Sequence, residues 1–206
     1  MTTPEQPSAG SDPAGEPGNT VAAEVLEEAE PEGPDLSSLD PDALALLETM
    51  LAALEPYGPQ PGTLSDLPQV TVERQHIVDV CRTLKFDERL GARMLLCMSA
   101  VDYPTPPVAD SEDGAHAGRS LQMVYVLQSL QPERTLVVKT EAPHDDPVVP
   151  SVTGVWRAAD WYEREAHDLF GVSFDGHPDL APLLLYDEFE GFPGRKEFPF
   201  YEYREF

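Results

Sequence analysis

Cysteine is nearly absent: the 206-residue chain has two, Cys81 and Cys97, and no Cys-x-x-Cys pair. Iron–sulfur clusters usually take four thiolates, and structural zinc sites take four Cys or His ligands at short spacings. Neither set is available, so a redox machine built with this chain is expected to hold its centres elsewhere. Basic clusters are missing as well. Thirteen Lys and Arg face 38 Asp and Glu, a formal charge of −25, and the longest basic run is the pair Arg195-Lys196. A phosphate backbone requires a basic face that releases counterions, which excludes nucleic acid as a partner. Anionic membrane surfaces are disfavoured for the same reason. No window approaches the ~20 apolar residues of a membrane span, so no direct membrane insertion is expected. The N-terminus lacks the basic start and apolar core of a signal peptide. Neither a Gly-x-Gly-x-x-Gly nor a Walker-type loop occurs, and no bound nucleotide is expected. The reading left is a cytosolic chain, docked if anything on a membrane-bound partner.

What is present is unevenly spread. Residues 1–73 hold 15 Asp and Glu and no Lys or Arg, whereas residues 74–206 hold 23 acids and all 13 bases. Residues 1–40 are rich in Pro, Gly, Glu, Ala and Ser. They offer too little apolar area to offset chain entropy and are expected to form a disordered acidic tail. Asp40-Pro41 suits a helix cap and first turn, with Leu44, Leu46, Leu47, Leu51 and Leu54 on one side. Residues 55–68 look like a Pro/Gly linker, which would make 41–68 a short helix plus linker and 69–206 the folded domain.

Within 71–84 the apolar residues Ile77, Val78, Val80, Cys81 and Leu84 recur at helical spacing. The run 93–101 suits a buried strand, and 102–118 a loop. Strands are expected at 121–130 and 134–140, joined by Gln131-Pro132-Glu133 as a hairpin. The order predicts an α+β fold: an antiparallel sheet packed with helices in a single small domain.

Residues 157–170, RAADWYEREAHDLF, form the clearest helix, with Gly171 as its C-cap. Ala159, Tyr162, Ala166 and Leu169 make one apolar stripe. Asp160, Arg164 and Asp168 follow at spacings of four, so one guanidinium is expected between two carboxylates. Glu163 and His167 are spaced to pair in the same way. His177 beside Asp179, with His167, raises a metal or an acid–base pair, but no third ligand arrives at a suitable spacing. Glu163, Glu165 and Asp168 are candidate acid–base groups, yet Glu163 and Glu165 leave the helix on different sides. Paired ionic scaffolding is the better account of both sets. Arg195-Lys196 reads as a salt-bridge donor at an interface.

The string Glu163-Arg164-Glu165, Asp168-Leu169-Phe170-Gly171, Phe174, Gly176-His177-Pro178-Asp179-Leu180 resembles the signature of the 30-kDa-type subunit (the C subunit) of respiratory complex I. Gly191, Pro193, Arg195, Lys196, Phe198 and Pro199 fit a second segment of that family. Val101-Asp102-Tyr103 and Ser151-Val152-Thr153 ahead of Trp156 agree in order. The strong likeness covers about 151–199, and a weaker one reaches back to about 70. Ala181-Pro182 stands where the family has Arg-Arg, Phe192 where it has His, Gly194 where it has Leu and Glu197 where it has Asp.

The resemblance implies a structural and assembly subunit of NADH:quinone oxidoreductase, without a catalytic centre of its own. FMN, iron–sulfur clusters and quinone would belong to partner subunits. It implies docking beside the large 49-kDa-type quinone-site subunit of the peripheral arm, on the cytoplasmic face of the bacterial cell membrane. On this reading helix 157–170 and loop 171–180 form the interface, with Arg164, Asp168, His177 and Asp179 fixing register. Alternatives are the equivalent subunit of a related membrane hydrogenase or other quinone-linked complex, a hydrolase using His177 and Asp179, and a stand-alone acidic adaptor working through residues 1–60.

Overall fold

A computed structural model describes residues 36–104, 119–130 and 132–199. The expected acidic tail at 1–35, most of the loop 102–118 and the C-terminal residues 200–206 lie outside the described residues. Asp40 caps α1 (Pro41–Leu54) as expected, its carboxylate accepting from the Ala43 N–H at 2.7 Å. The buried side of α1 is Leu46, Leu47, Met50 and Leu54, while Leu44 is exposed.

Residues 55–68 are not a linker. A 3-10 turn at Glu55–Tyr57 leads into the hairpin β1 (Gln60–Leu64) and β2 (Leu67–Thr71). A second 3-10 turn, Arg74–His76, starts α2 (Ile77–Phe86). Three long strands follow: β3 (Met94–Pro104), β4 (Arg119–Leu130) and β5 (Glu133–Pro143).

The sheet order is β1-β2-β5-β4-β3. Neighbours are antiparallel except β2 and β5, which run parallel from Gln69↔Val137 to Thr71↔Lys139. The sheet is therefore mixed rather than purely antiparallel. The reason is topological: the chain passes through α2, β3 and β4 before β5 returns beside β2. Short β6 (Val148–Pro150) pairs in parallel with β7 (Ser173–Asp175), which follows α3 (Ala159–Phe170).

Strand β4 alternates cleanly. Leu121, Met123, Tyr125 and Leu127 are buried, whereas Gln122, Val124, Val126 and Gln128 are half-buried. The buried set joins Ile77, Val80, Cys81 and Leu84 of α2 and the inner side of α1 in one core. Each Leu- or Val-sized side chain so buried contributes about 1.5–3 kcal/mol. Helix α3 packs along the outer strand β3. Tyr162 donates to the Leu96 carbonyl at 2.7 Å, and the Trp156 indole N–H to that of Arg93 at 3.1 Å. Two backbone acceptors on this edge strand are thereby covered, and α3 is fixed for the chain that follows it.

Candidate partner-docking site

Glu163 lies on the inner face of α3 and is fully buried. Its Oε1 accepts from the Val152 N–H at 2.7 Å and its Oε2 from the Ser151 hydroxyl at 2.6 Å. Burial pushes its carboxyl up to about 7, against the lowering effect of those two donors, and the negative charge of Asp160 adds to the rise. Burial likewise raises the Cys81 thiol and the Tyr125 phenol, and Glu163 adds a coulombic contribution to both. Glu163 thus joins α3 to the turn after β6.

His177 closes over this group. Its side chain is buried, with Nε2 3.3 Å from Asp160 Oδ1 and 3.9 Å from Glu163 Oε2. Its Nδ1 accepts from the Asp179 N–H at 3.1 Å, so in the neutral ring Nε2 carries the hydrogen. The Asp179 carboxylate does not touch the ring; it accepts from the Ala181 N–H at 3.1 Å. His177 and Asp179 therefore build a turn and lack the carboxylate–imidazole contact of an acid–base pair. The expected Glu163–His167 pairing is replaced: His167 Nδ1 lies 2.8 Å from the Val172 carbonyl oxygen.

The expected Asp160–Arg164–Asp168 sandwich also gives way. Arg164 donates from Nε and Nη2 to the carbonyls of Ala181 and Pro182, each at 3.0 Å, and its guanidinium lies 5.6 Å from the Trp161 ring centroid. One oxygen of Asp168 accepts from the N–H groups of Leu183, Leu184 and Leu185 at 3.2, 2.7 and 2.8 Å. Partial burial works against the Asp168 carboxylate, but these three donors and nearby His167 hold it below its ordinary range. Helical spacing put the charges on one side of α3. Loop 181–185 then supplied backbone partners that fit better.

From there a strap, residues 186–199, returns under the end of α3. Gly171 caps the helix in the left-handed conformation, φ 72°, with its N–H bonded to the His167 carbonyl. A Cβ on Gly171 would stand 2.5 Å from the Phe192 ring. Gly194 donates to the Leu169 carbonyl at 2.8 Å, and a Cβ there would stand 2.8 Å from the Phe170 ring. Two glycines thus let an aromatic residue press on each of two backbone turns.

Arg195 donates from Nε to the Phe170 carbonyl at 2.7 Å, and its guanidinium lies 4.9 Å from the Phe192 centroid. The Lys196 N–H bonds Asp102 Oδ2 at 2.8 Å, and Glu197 Oε2 lies 3.3 Å from Nε2 of buried His144. Phe174, on β7, is buried, and Leu180 packs against the core. Gly176 turns at φ 81°, while Pro178 and Glu165 are exposed.

The structure gathers the signature residues into one unit of α3, loop 171–185 and strap. It leaves Glu165 and Pro178 on the outside. Four residues take roles the sequence did not assign them: Ser151 as a Glu163 ligand, Asp160 beside His177, and Asp102 and His144 as strap anchors. Ser151 had a signal, since it lies in the matched Ser-Val-Thr segment. Asp102 had the same kind of signal in the matched Val101-Asp102-Tyr103, though nothing there pointed to the strap 94 residues on; His144 had none, since it lies far along the chain from Glu197. Among the described residues no group of three or more His, Cys, Asp or Glu side chains is arranged to hold a metal ion. Cys81 and Cys97 are both free thiols.

The family model for the respiratory-chain NADH dehydrogenase 30 Kd subunit matches residues 70–204. The chain belongs to that family. The C subunit of NADH-quinone oxidoreductase from Streptomyces coelicolor is 37% identical over 154 residues, 71% of this chain and 57% of that protein. The corresponding C subunit 2 from Rhizobium etli is 39% identical over 145 residues, 70% of this chain and 71% of that protein. The chain spans about half the length of several such relatives, 47% for that of Nocardia farcinica. A chain from the membrane-bound sulfane sulfur reductase, an archaeal respiratory membrane complex, superposes with a TM-score of 0.59 at 26% identity, covering 77% of this chain and 86% of that one. No helix among the described residues is long and apolar enough to cross a membrane.

Proposed function

We propose that this chain is a structural subunit of the peripheral arm of NADH:quinone oxidoreductase, docked beside the large quinone-site subunit at the cytoplasmic face of the membrane. It supports electron transfer from NADH to quinone and its coupling to ion translocation. The flavin, iron–sulfur clusters and quinone belong to its partners. The observation that carries this reading is the signature segment itself. Most of its charged residues are bonded into one α3–loop–strap unit, and large side chains are left outward.

Glu163, Asp168, His177, Arg164 and Arg195 are bonded within the chain. Their part is to hold the surface in one shape before docking, which lowers the ordering cost of association. The contact falls to Trp161, Leu184 and Tyr186, exposed by 62%, 59% and 69%. Trp and Tyr are the side chains that most often anchor interfaces. Glu165 and Asp179 stand at the rim.

The test is a mild-detergent pull-down of the tagged chain from its native membranes, with mass spectrometry and an NADH–quinone assay on the eluate. The expected result is a multi-subunit assembly with that activity, and its loss on Arg164→Glu. A chain that elutes alone refutes the reading. A second reading, the equivalent subunit of another membrane respiratory complex, is favoured by the likeness to a chain of the sulfane sulfur reductase complex. It predicts an intact assembly that lacks NADH–quinone activity.

A further inference from the structure

Away from α3's outer face, a second surface has the makings of a recognition site. A cleft of about 580 Å³ opens between the start of β3, the end of β4 and the turn before α3. Its floor is apolar: Met94, Leu96, Leu130 and Trp156 line it. Leu130 is 57% exposed, and Met94 and Leu96 stand well out of the core. Its rim is cationic, formed by Lys85, Arg93 and Arg157. In a chain of charge −25 that convergence is unusual.

The rim cations differ in what they do. Lys85 is occupied: it bonds the Val155 carbonyl and lies 5.4 Å from the Phe86 centroid and 5.9 Å from that of Trp156. Arg93 and Arg157 are exposed, and neither guanidinium has a hydrogen-bond or ion-pair partner among the described residues. Elsewhere Arg82, Arg89, Arg164 and Arg195 are all engaged within the chain. Three acids stand nearby, and none makes an ion pair with either guanidinium: Glu88 lines a neighbouring depression with Arg93, Glu133 is the strand partner of Leu130 and accepts from Gln128, and Asp160 bonds the Arg157 carbonyl through its N–H while its carboxylate lies 3.3 Å from His177. Two guanidiniums over an apolar floor fit carboxylates flanking a bulky apolar side chain.

We infer that this cleft docks an acidic, apolar-anchored peptide segment of a neighbouring protein, with carboxylates on Arg93 and Arg157. A membrane surface fits less well, because the whole chain is repelled by anionic lipid. Strand addition fits less well too. The carbonyls of Leu96 on β3 and of Arg93 just before it, the stretch that lines the cleft, are already covered by Tyr162 and Trp156. Recognition therefore runs through side chains. The cleft lies outside the α3–strap surface, so the inference extends the subunit reading.

The test places a photoreactive p-benzoylphenylalanine at Leu130, and separately at exposed Leu64 as a control, in the full chain in its native cells. After irradiation, cross-linked peptides are mapped by mass spectrometry, and recovery of the assembly is scored independently. The expected result is a cross-link from position 130 to an Asp/Glu-rich segment of another protein. It should weaken about tenfold or more in Arg93→Glu/Arg157→Glu, and less in Arg93→Gln/Arg157→Gln, with the chain still folded. The inference is overturned by cross-links to lipid, to the chain itself or to a segment without acids. It is equally overturned by the absence of a cross-link above the Leu64 control, or by a yield indifferent to charge reversal. Loss of assembly alone would count against the subunit reading and leave the mapped cross-link to decide this one.

Discussion

Replacing Glu163 by Gln isolates the cost of keeping a carboxyl inside this fold. The side chain is fully buried, and burial raises it from an ordinary value of 4.5 to about 7 despite donors from Ser151 and Val152. The folded state therefore binds this proton more tightly than the unfolded chain does. Stability then falls as pH rises through the window from 4.5 to about 7, and the full deficit is present above it. At 1.36 kcal/mol per pH unit the deficit is on the order of 3 kcal/mol.

Glutamine has nearly the same shape and can still accept from the Val152 N–H, but it does not titrate. In urea denaturation at pH 4, 5, 6, 7 and 8, the stability of Glu163→Gln minus that of the native chain should climb by roughly 3 kcal/mol. With a slope near 2 kcal/mol per molar urea, that is a relative midpoint change of about 1.5 M. Taking the difference cancels every other titrating group, including Asp168, whose effect has the opposite sign. A gap that stays flat, or shrinks, would refute the reasoning. It would mean that Ser151, Val152 and the imidazole at 3.9 Å stabilise the anion more than burial penalises it.

Asp168→Asn should loosen the loop rather than the domain. It removes the charge from an acceptor shared by three N–H groups. The cost is about 1–2 kcal/mol at this half-buried site, so exchange at Leu183–Leu185 should speed up about tenfold. In the native chain the same protection should hold at neutral pH and fade as pH falls below the ordinary carboxylate range. Unchanged exchange would dismiss the cradle. Tyr125→Phe should leave stability unchanged or raise it by about 1 kcal/mol, because the buried hydroxyl has no hydrogen-bond partner among the described residues. A thermal-melt loss equivalent to more than about 1 kcal/mol would show that the hydroxyl is bonded after all.

Much of this fold was legible where a local rule dominates. The Asp40-Pro41 cap, the strand over 121–130 and the Gly171 stop each depend on neighbours in sequence, and each is found, the strand starting two residues earlier at Arg119. The hairpin at 60–71 was hidden by its own composition. Pro61 sits on edge strand β1, and Pro68 precedes the point, Gln69, where β2 joins β5. In both places a missing N–H costs the sheet little, so prolines that look like a linker are compatible with strands. The parallel pairing of β2 with β5 had no local mark, because it is decided by where a much later strand returns.

The site shows the same division at the level of single side chains. Spacing alone placed Asp160, Arg164 and Asp168 on one side of α3, and that placement holds. Spacing could not say what would meet them. An exposed i,i+4 ion pair is worth only about 0.3–0.5 kcal/mol, less than a charge-assisted bond to a backbone group that would otherwise be left without a partner. Once Ala181-Pro182 and the three leucines after them come within reach, Arg164 takes the carbonyls and Asp168 takes the N–H groups. A signature of charged residues on a helix is thus fully consistent with a surface whose charges face inward. That shifts the search for recognition from the signature residues to the large side chains they hold outward, Trp161, Leu184 and Tyr186.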